Sequence, residues 1–449
     1  MADVRKIAFN TIYRVLYKDA YSALAINSAI KENNLSGIDA SFLSHLVYGV
    51  LERKILIDYI LAQYSKIKPK KIENKTLIVL ELGIFQIMFM DKVPDNAAVD
   101  ESVKLSKKVG AYKSSGFINA VLRNIVRNDK KYDLPDKKNE VVYLSVAYSC
   151  PEFLVSKWIK QYRKKNTIGI LEGLANRPPL TIRVNTLLTT KEELKKELND
   201  SGVIATDVPY LDNALNIEQT GSIEALKAYS EGKFYVQDSA SQICCEIVDA
   251  KPDMTVCDVC SAPGGKSIGC AINMNNQGNV YSYDLFEHKI KLIKDTSQRL
   301  GIDIIKAQVR DAQSTDVQIP SCDRLLCDVP CSGFGIIRRK PEIRYKKATI
   351  IDNLPQLQYS ILCANADMLP IGGVLVYSTC TLCDEENICI VDKFLKEHND
   401  FEPVAIDLPN NFERFIDEPQ HVLTLLPYKN MTDGFFIAKF RKVGQYDRH

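Results

Sequence analysis

From Val4 to about Lys130, apolar residues recur at intervals of three and four: Val4, Ile7, Ala8, Ile12, Val15 and Leu16, then Phe42, Leu43, Leu46, Val47, Val50 and Leu51. That period puts them on one face of a helix, so residues 1–130 read as an all-helical domain. Gly37, Pro69, the Pro94-Asp95-Asn96 turn and Gly110 punctuate it. The most apolar run, Thr76 to Met90, is interrupted by Glu81, Gly83 and Gln86 and falls short of the roughly 20 residues that span a bilayer, which predicts a buried helix. Between Asn128 and Glu140, four lysines, three aspartates and Pro135 break the pattern and read as a linker.

Residues 141–235 are mixed: a helix around Trp158, a strand over Leu180–Asn185, a charged helix from Lys191 to Leu198 and further short strands. They read as a small α+β connecting subdomain. Beyond Met254, β-rich runs alternate with helical ones: Met254–Val259, Val280–Asp284, Ile304–Arg310, Arg324–Val329 and Gly373–Ser378. Such alternation predicts βαβ units in a doubly wound, mostly parallel sheet with helices on both faces, occupying residues 236–445.

At 449 residues, 46% hydrophobic and 25% charged, the chain has length for two or three cores and a composition that excludes disorder as its main state. Thirteen cysteines lie in apolar segments. With no secretory pattern at the N-terminus, they predict reduced thiols in a cytoplasmic protein. The net charge of +2 hides an asymmetry: residues 1–130 hold 20 Lys/Arg against 13 Asp/Glu. A basic third suits nucleic-acid phosphate, although a solvated lysine-rich helical surface gives the same balance.

Ligands of such sheets bind outside the carboxyl ends of the strands, and chemistry is concentrated there. The first strand runs into Asp258-Val-Cys-Ser-Ala-Pro-Gly-Gly-Lys-Ser267, a glycine turn into a helix that lacks the spacing of dinucleotide or phosphate loops. The second strand ends at Asp284, placed to accept ribose hydroxyls, and the third at Asp311, placed for an adenine amino group. Either aspartate alone reads rather as a polar strand end that caps the next helix. Together, after a glycine turn, they predict an adenosine-containing cofactor.

The fourth strand ends Cys327-Asp328-Val-Pro-Cys331, and the fifth ends Tyr377-Ser-Thr-Cys380. Two thiols on the cofactor edge suit a reaction at carbon 5 of cytosine. Thiolate addition at carbon 6 makes an enamine whose carbon 5 can attack a sulfonium methyl group. Asp328 is placed to hydrogen-bond the base. Cys244, Cys245, Cys257, Cys270, Cys322, Cys327, Cys363 and Cys389 read as buried packing cysteines. Cys257-x-x-Cys260 and Cys380-x-x-Cys383 have zinc-ligand spacing, but both fall where the cofactor pocket is expected, so no metal is expected.

At these residues the chain resembles the RsmB (Sun/Fmu) family of bacterial small-subunit rRNA cytosine-5 methyltransferases, within the NOL1/NOP2/Sun group. The resemblance spans nearly the whole chain and includes Gly116–Arg123 in a region similar to the NusB antitermination factor, Pro179–Asn185, Tyr235–Ser239 and the basic Gly335–Pro341 segment. It implies a NusB-like helical RNA-binding domain and a Rossmann-like catalytic domain using S-adenosylmethionine. Cys260, Ser261, Ala262, Pro263, Gly264, Gly265, Lys266, Asp284, Asp311 and Asp328 would then hold the cofactor. Cys380 would be the nucleophile, and Cys331 would assist release of the methylated base, an order that spacing leaves open. Ser261 stands where alanine is usual and Tyr345 where tryptophan is common. The expected partner is small-subunit ribosomal RNA, acted on by a monomer with no membrane attachment. A tRNA cytosine-5 methyltransferase and a non-catalytic antitermination-like protein are the competing readings. The first is opposed by the NusB-like third and the second by the intact cysteines.

Overall fold

The computed structural model describes residues 3–315, 320–409, 412–415 and 417–444. Gln445, the last residue of the expected catalytic domain, lies outside them. The chain forms two compact units, Met1–Asn176 with Ile337–Ala348, and Arg177–Ile336 with Thr349–His449.

The first unit is helical: α1 (Val4–Tyr17), α2 (Ser22–Glu32), α3 (Gly37–Tyr64), α4 (Asn74–Phe89), α5 (Asp95–Lys108), α6 (Ser115–Arg127), α7 (Glu140–Ala147) and α8 (Glu152–Ala175). In α6 the buried side chains are Ile118, Val121, Leu122 and Ile125, a single stripe of the kind that sets a surface helix on a core. The Asp3 side chain accepts Lys6 N–H and starts α1. Helix α4, from the most apolar run, is buried almost all round. Its Glu81 is wholly buried and meets Lys54 Nζ at 2.5 Å, the pairing a buried charge requires. Helix α3 comes close to α4 at Gly49, where a Cβ would stand 1.9 Å from Phe85 Cζ. Trp158 is fully buried in α8, which is interrupted at Arg163 (φ +61°).

A short piece of the C-terminal half completes this unit. In Ile337–Ala348, Glu342 accepts the Ser22 N–H at 3.1 Å and the Ser22 hydroxyl at 2.6 Å. The hydroxyl of the partly buried Tyr345 donates to Leu51 O, using the polar group that distinguishes tyrosine from an apolar ring. Nothing in the local pattern marks this excursion, because Pro341–Tyr345 is one short 3₁₀ turn between polar residues.

The second unit holds two sheets. The smaller pairs β1 (Leu180–Val184), β2 (Ile204–Asp207), β3 (Ala214–Glu218) and β4 (Phe234–Val236) in the order β2-β3-β1-β4, all antiparallel. With it stand α9 (Lys191–Asp200), opened by a Thr190–Glu193 capping box, and the single turn α10 (Lys227–Ser230).

The larger sheet contains β5 (Thr255–Asp258), β6 (Asn279–Asp284), β7 (Ile305–Val309), β8 (Arg324–Asp328), β9 (Val374–Thr379), β10 (Phe401–Pro403), β11 (Val422–Leu425) and β12 (Phe435–Lys442). The order is β10-β12-β9-β8-β5-β6-β7, with β11 on β12. Strands β5 to β9 are parallel, as the alternation predicts. The C-terminal strands add an antiparallel portion that the alternation did not reveal. Successive residues of a strand feed opposite cores. Val256, Leu326 and Val376 pack with α11 (Ser239–Val248) and α12 (Gly265–Asn273), whereas Cys257, Leu325 and Leu375 pack with α14 (Ile350–Ala366) and α15 (Ile388–Glu397). Helix α13 (Glu287–Arg299) follows β6. Strand order reverses at β5, so the crevice beyond the ends of β5 and β8 is the topological switch point where such sheets bind ligands. Among the described residues, no helix is long and apolar enough to cross a membrane.

Candidate active site

The turn from β5 into α12 is held on both sides. Ser261 N–H and Oγ both donate to Tyr283 O, at 2.8 and 2.9 Å, and Gly264 N–H closes the turn on Ser261 O at 2.7 Å. Gly264 has φ +100°, a conformation that favours glycine. Tyr235 Oη and Gln237 Nε2 donate to Gly265 O at 3.1 and 2.9 Å. Ser267 Oγ donates to Asp258 Oδ2 at 2.7 Å, and burial pushes the Asp258 carboxyl up to about 7. The backbone of Cys260, Ala262, Pro263 and Gly264 is thereby fixed in front of the α12 N-terminus, where N–H groups and the helix dipole face outward.

Asp284 is the last residue of β6, and Asp311 follows the neighbouring strand β7. Asp284 is buried, and its carboxylate receives Ala262 N–H at 3.3 Å, Phe286 N–H at 3.4 Å and Lys289 Nζ at 3.3 Å. These long bonds leave acceptor capacity for hydroxyl donors. Phe286, not Asp284, is the N-cap of α13. Asp311 is exposed and accepts Gln313 N–H at 2.9 Å in a local turn.

At the end of β8, Asp328 Oδ2 accepts from Lys266 Nζ at 2.6 Å and Oδ1 from Ser378 Oγ at 2.8 Å. Register pairs Asp328 with Ser378 across β8 and β9, so Cys331 and Cys380 leave the sheet side by side. Their sulfurs are 3.1 Å apart, and Cys380 N–H points at Cys331 Sγ from 3.3 Å. The bond to Cys380, then burial and the Cys380 and Glu386 charges, hold the Cys331 thiol well above its ordinary value. The Ser332 and Thr381 hydroxyls join the two loops at 2.7 Å.

Sequence reasoning missed the residues behind these loops. Glu386 and Asn387 are buried, although Asp384-Glu-Glu-Asn387 reads as a solvated acidic run. The signal was its position directly after the Cys380 motif. Among the expected packing cysteines, Cys389 is instead exposed at the start of α15, and Cys363 is partly exposed with its sulfur 3.3 Å from His398 Nε2. Cys257 is buried within β5, and among the described residues no group of three His, Cys, Asp or Glu side chains is arranged to hold a metal.

This donor set fits an adenosine sulfonium cofactor: a glycine turn for close backbone approach, a buried carboxylate with spare acceptors and a carboxylate–ammonium pair at the switch point.

Family comparisons agree. Residues 245–441 match the family described as 16S rRNA methyltransferase RsmB/F, residues 2–127 the NusB family, and residues 150–224 an RsmF/B-like ferredoxin-like domain. A probable ribosomal RNA small subunit methyltransferase B from Bacillus subtilis is 37% identical, covering 98% of this chain and 99% of the relative. One from Synechocystis is 33% identical, covering 98% and 100%. The crystal structure of PH0851 superposes with a TM-score of 0.83 at 26% identity, covering 98% of this chain and 99% of that one. NSun6 from Pyrococcus horikoshii shares the fold with a TM-score of 0.60 at 23% identity, covering 66% and 99%. S-adenosylmethionine is the methyl donor of this class of enzyme. Matched from end to end and through all three of its parts, the chain belongs to the 16S rRNA methyltransferase RsmB/F family.

Proposed function

We propose that this chain methylates carbon 5 of a cytosine in small-subunit ribosomal RNA, in the cytoplasm, through a covalent cysteine–pyrimidine adduct. In this reading residues 1–130 bind RNA, 141–235 connect, and 236–445 catalyse. The observation that carries it is the pair of thiols 3.1 Å apart on adjoining strand ends, beside the Lys266–Asp328 pair.

Cys260 to Lys266, Asp284, Asp311 and Asp328 hold the cofactor. When bound, S-adenosylmethionine supplies an electrophilic methyl group to a carbon nucleophile. Cytosine carbon 5 becomes such a nucleophile only after the Cys380 thiolate bonds to carbon 6 and the ring π pair shifts to an enamine. Asp328, fixed by Lys266 and Ser378, accepts a hydrogen bond from the base edge and stabilises the adduct. After methylation the carbon 5 proton leaves to a base, the double bond re-forms, and the carbon 6–sulfur bond breaks to return the Cys380 thiolate. Cys331, whose sulfur touches Cys380, assists this release.

The test separates the thiols. With substrate RNA and S-adenosylmethionine, Cys331→Ala should accumulate a slow-migrating band on a denaturing gel that nuclease collapses. Cys380→Ala and the double variant should give neither band nor methylation. The reverse pattern would assign attack to Cys331, and retained methylation without adduct in both variants would refute covalent catalysis.

A further inference from the structure

Glu386 and Asn387 are consecutive, 0% and 2% exposed, and sit directly before α15. Glu386 Oε2 accepts the Ser332 N–H at 2.8 Å and Gln358 Nε2 at 2.9 Å, and the same Gln358 nitrogen donates to Pro330 O at 3.0 Å. One carboxylate oxygen thus holds the residues on both sides of Cys331. Asn387 has the same relation to Cys380. Its Oδ1 accepts from Thr379 Oγ1 at 2.5 Å, and its Nδ2 donates to Thr381 O at 3.1 Å. Tyr377 Oη donates to Glu386 O at 2.6 Å and ties the dipeptide to β9. The second carboxylate oxygen, Glu386 Oε1, is buried without a hydrogen-bond partner, a cost that an amide accepting the same two donors would lessen.

We propose that Glu386 and Asn387 are positioning residues that divide the thiols between them, Glu386 setting the release thiol Cys331 and Asn387 the attacking thiol Cys380. The inference rests on the covalent reading above and adds residues that do not touch the reacting atoms. It makes the two halves of the reaction separable by mutations behind the site. Loosening the Cys331 loop should leave attack intact and slow release; loosening the Cys380 loop should slow attack itself.

The experiment uses the full-length enzyme with substrate RNA and S-adenosylmethionine, reading adduct on a denaturing gel against methyl groups transferred. Glu386→Ala and the milder Gln358→Ala should raise the fraction of enzyme trapped on RNA and lower turnover by about 10- to 100-fold, the scale of effect expected of a displaced reacting group. Glu386→Gln, which keeps an acceptor for Ser332, should restore most of the turnover. Asn387→Ala and the milder Thr379→Val should lower adduct and turnover together. Melting temperature and cofactor affinity, measured on each variant, identify any that fails to fold, and the milder member of each pair then decides. A purely structural role predicts equal loss of adduct and turnover in both arms, and that result overturns the division. So does an adduct in Cys331→Ala that neither Gln358→Ala nor Glu386→Ala reproduces. If Cys331→Ala itself traps no RNA, the assignment of attack to Cys380 and release to Cys331 has failed, and this inference falls with it.

Discussion

Asp258 illustrates how far a residue's state departs from what its letter suggests. Its carboxyl is buried at the foot of the turn from β5 into α12 with Ser267 as donor, and burial holds it near 7. Folding therefore raises its proton affinity, so its contribution to stability is full below the unfolded carboxylate range, about 4, and is lost as pH climbs through 7. Without cofactor, Asp258→Asn should melt at least about 2 °C above wild type at pH 8, with the advantage shrinking as pH falls toward 5. A pH-independent difference would place the titration elsewhere. The turn around Asp258, the strand-end aspartates and the two strand-end cysteines were legible because each is a local word in the sequence. Glu386 was not, since a buried acid and a solvated one are spelled alike, and only the partners Ser332 and Gln358 tell them apart. Cys389 fails the opposite way: a residue type that usually packs inside lies on the outer side of a helix start.

Among elements, β5 to β9 were legible to within a residue or two because each is a short β-rich run that alternates with helical stretches. Strand β12 was not, because it is the last element rather than the next repeat of a βαβ unit, and its place beside β9 is set by long-range pairing. That strand carries a consequence for the site. The turn before β12 brings Gly434 N–H onto Gly335 O at 2.9 Å, while Gly335 N–H bonds Cys380 O at 3.0 Å. A Cβ at Gly335 would meet Gly434 O at 2.0 Å, and backbone on both sides leaves little room to yield. Gly335→Ala should destabilise the protein by about 1–3 kcal/mol, the usual cost of overpacking, and reduce methylation more than the loss of folded enzyme explains. Calorimetry beside an activity assay checks this, and an unchanged melting temperature would show that the two backbones can part.

For the molecule as a whole, the basic N-terminal third was legible only as a charge balance. Lys66, Lys68, Lys70 and Lys71 are exposed around the turn between α3 and α4. If they contact RNA phosphates, replacing all four with Gln should flatten the dependence of log affinity on log salt by up to about 3, at roughly 0.7 per contact with single-stranded RNA. Cofactor affinity should stay unchanged, and an unaltered salt slope would move the RNA surface elsewhere. The discontinuity of the helical unit reaches beyond binding, into the order in which the protein is made. Residues 177–336 separate its two pieces. At about 5–20 residues per second, a ribosome spends roughly 8–30 s between finishing the first piece and beginning the second. Throughout that interval Ser22 and the Leu51 carbonyl lack the partners that Glu342 and Tyr345 later supply. The helical unit is first in the chain but stays incomplete until Ala348 has been added, so synthesis couples closure of the N-terminal unit to the emergence of the loop that carries Cys331.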